Sequence, residues 1–326
     1  MIVADSDGYE IGYLPEEYDV DIDLGGENDF QITMPLSKYG TSEYQMKYKV
    51  YVPGTEYGGI IEEIEPDTKS DTINLLGDTW RGMLTRKIIE PPSGSAYLVV
   101  SGDAHDIIRD LVNDRFDGLF TVTASESGFV LNNYQFERYI NLLDGIEKML
   151  ATVCSRLCIK YVQDGANLSG HVELTAVRQI ENDDEISQDS GIYIKSKNYQ
   201  RGINHLICLG KGELTDRLVV HLYVNHKGEI STTQYYSGLS ERVATYEYSN
   251  VENRDELITE GTKRLEELKN YSSFEMSIDE ESDIYDLGEV VSGREYITGI
   301  VVKKPITRKI LKIQKGTVTA QYEIKG

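Results

Sequence analysis

The chain has 326 residues, more than one compact core usually absorbs, and its 33 Lys and Arg against 55 Asp and Glu give a formal net charge of −22. About two to four small units are expected, and general affinity for nucleic-acid phosphates or an anionic membrane would work against the protein's own field. No apolar run reaches the roughly 18 residues of a membrane-spanning helix, Met1-Ile2-Val3-Ala4-Asp5 is no secretory signal, and three cysteines (Cys154, Cys158, Cys208) make no disulfide framework. These features predict a chain made in a reducing cytosol without membrane insertion.

Tyr18–Leu24 alternates Val20, Ile22 and Leu24 with Asp19, Asp21 and Asp23, the period of a half-buried strand. Further strands are predicted at Asp29–Met34, Met46–Val52, Gly59–Ile64, Asp71–Leu76 and Gly82–Ile89, a spacing that suggests a small barrel closed off by Pro91-Pro92-Ser93-Gly94-Ser95. Asp103 is placed to cap a helix running to about Phe116, and apolar residues at helical spacing predict a second helix over Asn141–Leu157. Strands at Cys158–Gln163 and His171–Gln179 complete an α+β unit, followed by an acidic loop at 181–185.

Strands return at Asn204–Leu209, Arg217–Asn225 and Arg242–Tyr248, and Asn253 with Glu256 opens a helix whose stripe is Leu257, Ile258, Leu265 and Leu268. Strands near Phe274–Ile278, Val290–Gly293, Tyr296–Lys303, Lys309–Gln314 and Thr317–Ile324 again have barrel-like spacing. The predicted class is α+β, mostly β, with two small antiparallel β-barrels. The first barrel spans 1–92, an α+β domain spans 93–198, and the second barrel spans 199–250 and 271–326 with a helical insertion at 251–270. The 23 Tyr against 6 Phe suit many half-buried, partner-facing pleated surfaces.

Charge is unevenly spread. Residues 1–30 hold ten carboxylates and no Lys or Arg, whereas 301–326 carry seven basic side chains against Glu323. This predicts either an oriented contact surface or two separately solvated faces. A weak repeat sets Gly59-Ile60-Ile61 and Ile73–Gly77 beside Gly299-Ile300-Val301 and Ile310–Ile313. Glu62, Glu63, Glu65 and Asp67 of the first copy stand where the second has Lys303, Lys304, Arg308 and Lys309. These eight residues are candidates for a subunit interface.

No catalytic, cofactor or metal site is expected. Asp19-Val20-Asp21-Ile22-Asp23 has Leu24 where a calcium loop needs Gly and Phe30 where it needs Glu. Cys154 with Cys158, or His205, Cys208 and His221, are the residues a zinc site would use, but buried core cysteine is the commoner role. No Ser lies in a nucleophile elbow, and Gly210-Lys211-Gly212 is no phosphate loop. A glycosidase needs only two placed carboxylates, which sequence alone leaves open.

The stretch Gly77-Asp78-Thr79-Trp80-Arg81-Gly82-Met83-Leu84-Thr85-Arg86-Lys87-Ile88-Ile89-Glu90-Pro91-Pro92 and the later Ile284-Tyr285-Asp286-Leu287-Gly288-Glu289-Val290-Val291-Ser292-Gly293 resemble the tail hub proteins of siphophages, relatives of hubs in contractile injection systems. The resemblance implies a homotrimer at the virion tail tip or baseplate, assembled in the host bacterial cytoplasm. Two barrels per subunit would form a pseudo-six-fold ring matched to a hexameric tail tube. The implied partners are the tail tube, distal tail, tape measure and tip or spike proteins, with DNA or tape measure passing through. A C-terminal cell-wall hydrolase domain, carried by some hubs, is not expected in a chain ending at Gly326. The rival expectation is a cell-wall glycan hydrolase or glycan-binding module. Trp80, the only Trp, is expected to anchor the first barrel against the second domain.

Overall fold

A computed structural model describes the chain apart from residues 41–43, 164–169, 187–191, 200, 281–284, 295–296, 298, 300, 315 and 326. The chain divides into two units, Met1–Ile194 with Met276–Lys325, and Lys195–Glu275.

The first unit is organised by a long sheet in which Thr317–Lys325, Arg308–Gln314, Asp19–Leu24, Asp29–Pro35, Thr72–Asp78 and Glu63–Asp67 are successive neighbours. Tyr271–Glu280 and Ile192–Tyr199 follow Thr317–Lys325 in the strand order. Val20, Ile22, Leu24, Phe30, Ile32, Met34, Ile73 and Leu75 are buried on one face, as the alternation requires. The acidic opening and the basic close are neighbours here: Ile310 stands opposite Asp23 and Lys312 opposite Asp21. Lys312 lies 3.7 Å from the Asp21 carboxylate, and Arg308 pairs with Asp23 at 2.6 Å and Glu323 at 3.0 Å. Asp21 and Asp23 of the acidic beginning are therefore matched by basic residues of the end within one chain.

The expected closed barrels are not formed among the described residues. Each sheet is an open ladder, and strands read as parts of two barrels share one sheet. A four-stranded sheet in the order Glu10–Tyr13, Ile2–Ala4, Lys49–Tyr51, Gly58–Ile60 adds two N-terminal strands that no periodicity marked.

Three helices and a three-stranded sheet share the unit's second core. Gly82–Ile89, expected as a strand, lies in and after helix α1 (Trp80–Thr85), because the Thr79 hydroxyl accepts the Gly82 N–H at 3.2 Å and caps the first turn. Helix α2 (Ala104–Val112) starts at the expected cap but stops short of Phe116, and Asp114 and Asp117 adopt φ of 56° and 51°. Helix α3 (Leu142–Ala151) is also shorter than expected. Cys154 turns the chain with φ 53° and is exposed, not packed in the core, and Ser155–Gln163 is already a strand. The acidic stretch read as a loop is the strand Glu181–Ile186, paired in parallel with Val290–Arg294.

Asp103 does more than cap α2. Its carboxylate accepts the His105 N–H at 2.9 Å, the Ser127 N–H at 3.0 Å and hydroxyl at 2.8 Å, and the Gly128 N–H at 3.0 Å. Burial pushes its pKa up, but the donors at Ser127, His105 and Gly128 outweigh burial, and the net direction is down. The stability it contributes is therefore present above the ordinary carboxylate range and lost as pH falls through its depressed folded value. Asp103→Ala is expected to cost about 0.5–2 kcal/mol at pH 7, with the gap to the native chain narrowing below about pH 4. Urea unfolding at pH 7 and pH 3 checks this, and a gap independent of pH would contradict it.

In the second unit, Ile230–Ser231, Val219–Val224, His205–Leu209 and Val243–Glu247 form a sheet covered on one face by helix α4 (Arg254–Leu268). Asn253 caps α4 by accepting the Asp255 N–H at 2.8 Å, and Leu257 and Leu265 are buried. Gly261 allows the close approach, since a Cβ there would lie 2.4 Å from Cys208 Sγ.

Candidate functional site

The two motif segments converge on one buried charge junction in the first unit. Thr79 fixes the start of α1, and the next turn carries Arg81 inward to 2% exposure. Its guanidinium donates to Glu56 at 2.9 and 3.3 Å and to Glu147 of α3. Burial alone would lower its pKa, but Glu56 and Glu147 overcome that and raise it, so Arg81 is permanently charged. From the strand Ser155–Gln163, Arg156 pairs with Asp286 at 3.1 Å and Glu289 at 3.2 Å. Gln179 donates to the Gly288 carbonyl at 3.0 Å, and buried Lys309 donates to the Tyr285 carbonyl at 2.8 Å above the ring of Tyr57. Residues 285–289 are thus held to the rest of the unit by side chains from two strands and the end of a third.

A cavity of about 250 Å³ separates Glu56, Arg81, Arg156, Cys158, Asp286 and Lys309. Its arginines are already matched by carboxylates. Burial pushes the Cys158 thiol up despite Lys160 and Arg156, so it stays protonated and is a poor nucleophile. The geometry suits a brace rather than proton transfer or covalent chemistry.

An aromatic layer lies in the adjoining core. Trp80 is fully buried and stacks on Tyr161 with centroids 5.3 Å apart, and Tyr161 stacks on Tyr51 at 3.9 Å. Trp80 therefore links α1 to the strands Lys49–Tyr51 and Ser155–Gln163.

No protein-family model and no curated protein matches the sequence. Solved structures do match over nearly its whole length. A 43 kDa tail protein of prophage MuSo2 from Shewanella oneidensis is 12% identical, with 99% of this chain and 97% of that one covered at a TM-score of 0.57. A chain of the phage P2 baseplate in its activated conformation is 10% identical, with 99% and 98% covered at 0.53. A tail protein from Neisseria meningitidis is 14% identical, with 100% and 96% covered at 0.50. The chain has the fold of phage tail and baseplate proteins.

Within one chain the eight interface candidates are not brought together as one surface. Glu62 forms a forked pair with Arg86, which also reaches Asp78. Glu63, Glu65 and Asp67 are exposed on the strand Glu63–Asp67. Lys303 and Lys304 are exposed on the strand Val301–Pro305, Lys303 reaching Glu181 at 2.5 Å. Arg308 is engaged with Asp23 and Glu323, and Lys309 is buried.

The residues suggested for zinc do not assemble either. Cys208 faces α4, while His205, on the opposite face, donates from Nδ1 to Glu241 at 2.8 Å. Its Nε2 is hydrogen-bonded to His221 Nδ1, also at 2.8 Å. Among the described residues no group of three His, Cys, Asp or Glu is placed to hold a metal ion. Sequence reasoning missed the junction: Arg81, Asp286 and Glu289 stood inside the two motifs without a role, and Glu56, Glu147 and Arg156 carry no local signal.

Proposed function

We propose that this chain is a structural tail hub. Three copies form a ring at the virion tail tip or baseplate that adapts a hexameric tail tube to the parts below and lets DNA or tape measure pass. The observation that carries this reading is the tail and baseplate fold extending over 99% of the chain. Charge supports it. Residues 195–275 hold 11 Lys and Arg against 12 Asp and Glu, so all but −1 of the net −22 belongs to the first unit. A ring lined by such a unit repels the nucleic acid it conducts. The tube, distal tail, tape measure and tip or spike proteins are the partners this role requires. The junction of Arg81, Arg156 and the 285–289 segment serves it by stiffening the subunit.

Light scattering of the pure protein is expected to give three times the chain mass, and a peptidoglycan suspension is expected to stay turbid in its presence. A monomer that clears the suspension, and stops doing so after one Asp or Glu substitution, would replace the hub by a glycan hydrolase.

A further inference from the structure

We propose that neighbouring subunits join by strand addition, the acidic edge strand Glu63–Asp67 of one copy lying along the basic edge strand Val301–Pro305 of the next. This rests on the ring reading above and gives it a specific contact. Among the described residues both strands are terminal in their sheets. Glu63–Asp67 pairs on one side with Thr72–Asp78, and Val301–Pro305 pairs on one side with Val290–Arg294. Each leaves a row of backbone donors and acceptors available, the usual template for another chain.

The two edges match in length and oppose in charge. Each has five residues. Glu63, Glu65 and Asp67 occupy alternate positions and so share one face, and all three are exposed, while Lys303 and Lys304 are exposed on the other strand. Centring the strands on each other, parallel or antiparallel, sets Glu65 opposite Lys303, and opposite charges across a ladder are favourable. The Lys303–Glu181 pair is half exposed on both sides, and such pairs contribute only about 0–1 kcal/mol, so Lys303 exchanges partners readily.

Charged residues and proline also serve to blunt lone edges, and Pro66 and Pro305 fit that role. Blunting, however, works with either sign, and a chain of net −22 would be served as well by two acidic edges. One negative and one positive edge instead make every subunit both donor and acceptor of a head-to-tail contact, which closes into a ring when its rotation allows. The prolines shorten the shared ladder, which limits growth into longer sheets.

The test is a charge-reversal cycle in the full chain, with Glu63→Lys/Glu65→Lys, Lys303→Glu/Lys304→Glu and both sets combined. The trimer fraction is measured against concentration at low and moderate salt, with thermal melts confirming folding. Each set alone is expected to weaken association roughly tenfold or more, and the combination is expected to restore most of it. A second readout needs no charge change: Glu65→Cys with Lys303→Cys, in a Cys154→Ser background, should yield interchain disulfides up to a covalent trimer on oxidation. A wild-type trimer indifferent to every reversal and silent in cross-linking would overturn the edge pairing and leave the hub reading standing. A monomeric wild-type chain would overturn both.

Discussion

Replacing Arg81 by Met is expected to cost the first unit about 3–5 kcal/mol, the usual penalty for breaking a buried ion pair and stranding its partner. Arg81 is 2% exposed, and the side chain of Glu56, its forked partner, is 17% exposed. Glu147 is 45% exposed and can be rehydrated, so Glu56 carries most of the penalty. Adding Glu56→Gln to Arg81→Met should therefore recover part of the loss, whereas Arg81→Lys should fall between, keeping the charge but losing the fork. Urea unfolding followed by circular dichroism measures all three. A neutral Arg81→Met would mean that the junction is solvated and braces nothing.

Trp80→Ala should be comparably severe, at about 3–5 kcal/mol, because it removes a fully buried ring and leaves a void against Tyr161 that a close-packed core fills only in part. The ring is fully buried and its neighbours Tyr51, Leu84 and Tyr161 are at or near zero exposure. Folded yield should drop, and assembly should fail only in proportion to folding. Because Trp80 is the only Trp, its fluorescence disappears with it, and melting must be followed by circular dichroism. An unchanged melting temperature with lost assembly would move Trp80 from the core to a partner contact.

What the sequence displayed depended on how local each cause was. The strand Asp19–Leu24 announced itself by strict alternation, and α2 and α4 by their caps at Asp103 and Asn253, because each signal lies within one element. Helix α1 was hidden by Ile88 and Ile89, whose β-branched character imitates a strand just beyond the turn that Thr79 caps. The end of α3 was hidden because Val153 and Leu157 continue its apolar rhythm. Only the left-handed backbone at Cys154 breaks it, and a cysteine gives no warning of that conformation. Glu181–Ile186 is a strand because Val290–Arg294 lies beside it, not because its own residues favour one.

Pairing at long range was less visible still. Asp23 and Arg308 lie 285 positions apart, and no window of sequence contains both. The charge asymmetry between the chain's beginning and end was legible, but that Asp21 and Asp23 meet Lys312 and Arg308 in one ladder was not. The junction had the same difficulty in greater degree, since it draws Glu56, Arg81, Glu147, Arg156 and Asp286 from separate elements.

The hub account is tested most directly by a density map of an intact tailed particle carrying this chain, at a resolution that traces strands. The account predicts three copies around the tail axis at the tip or baseplate end, in contact with the last ring of the tube, with the acidic first unit lining the channel. A copy placed away from the axis, or a copy number that is not three per ring, would contradict it.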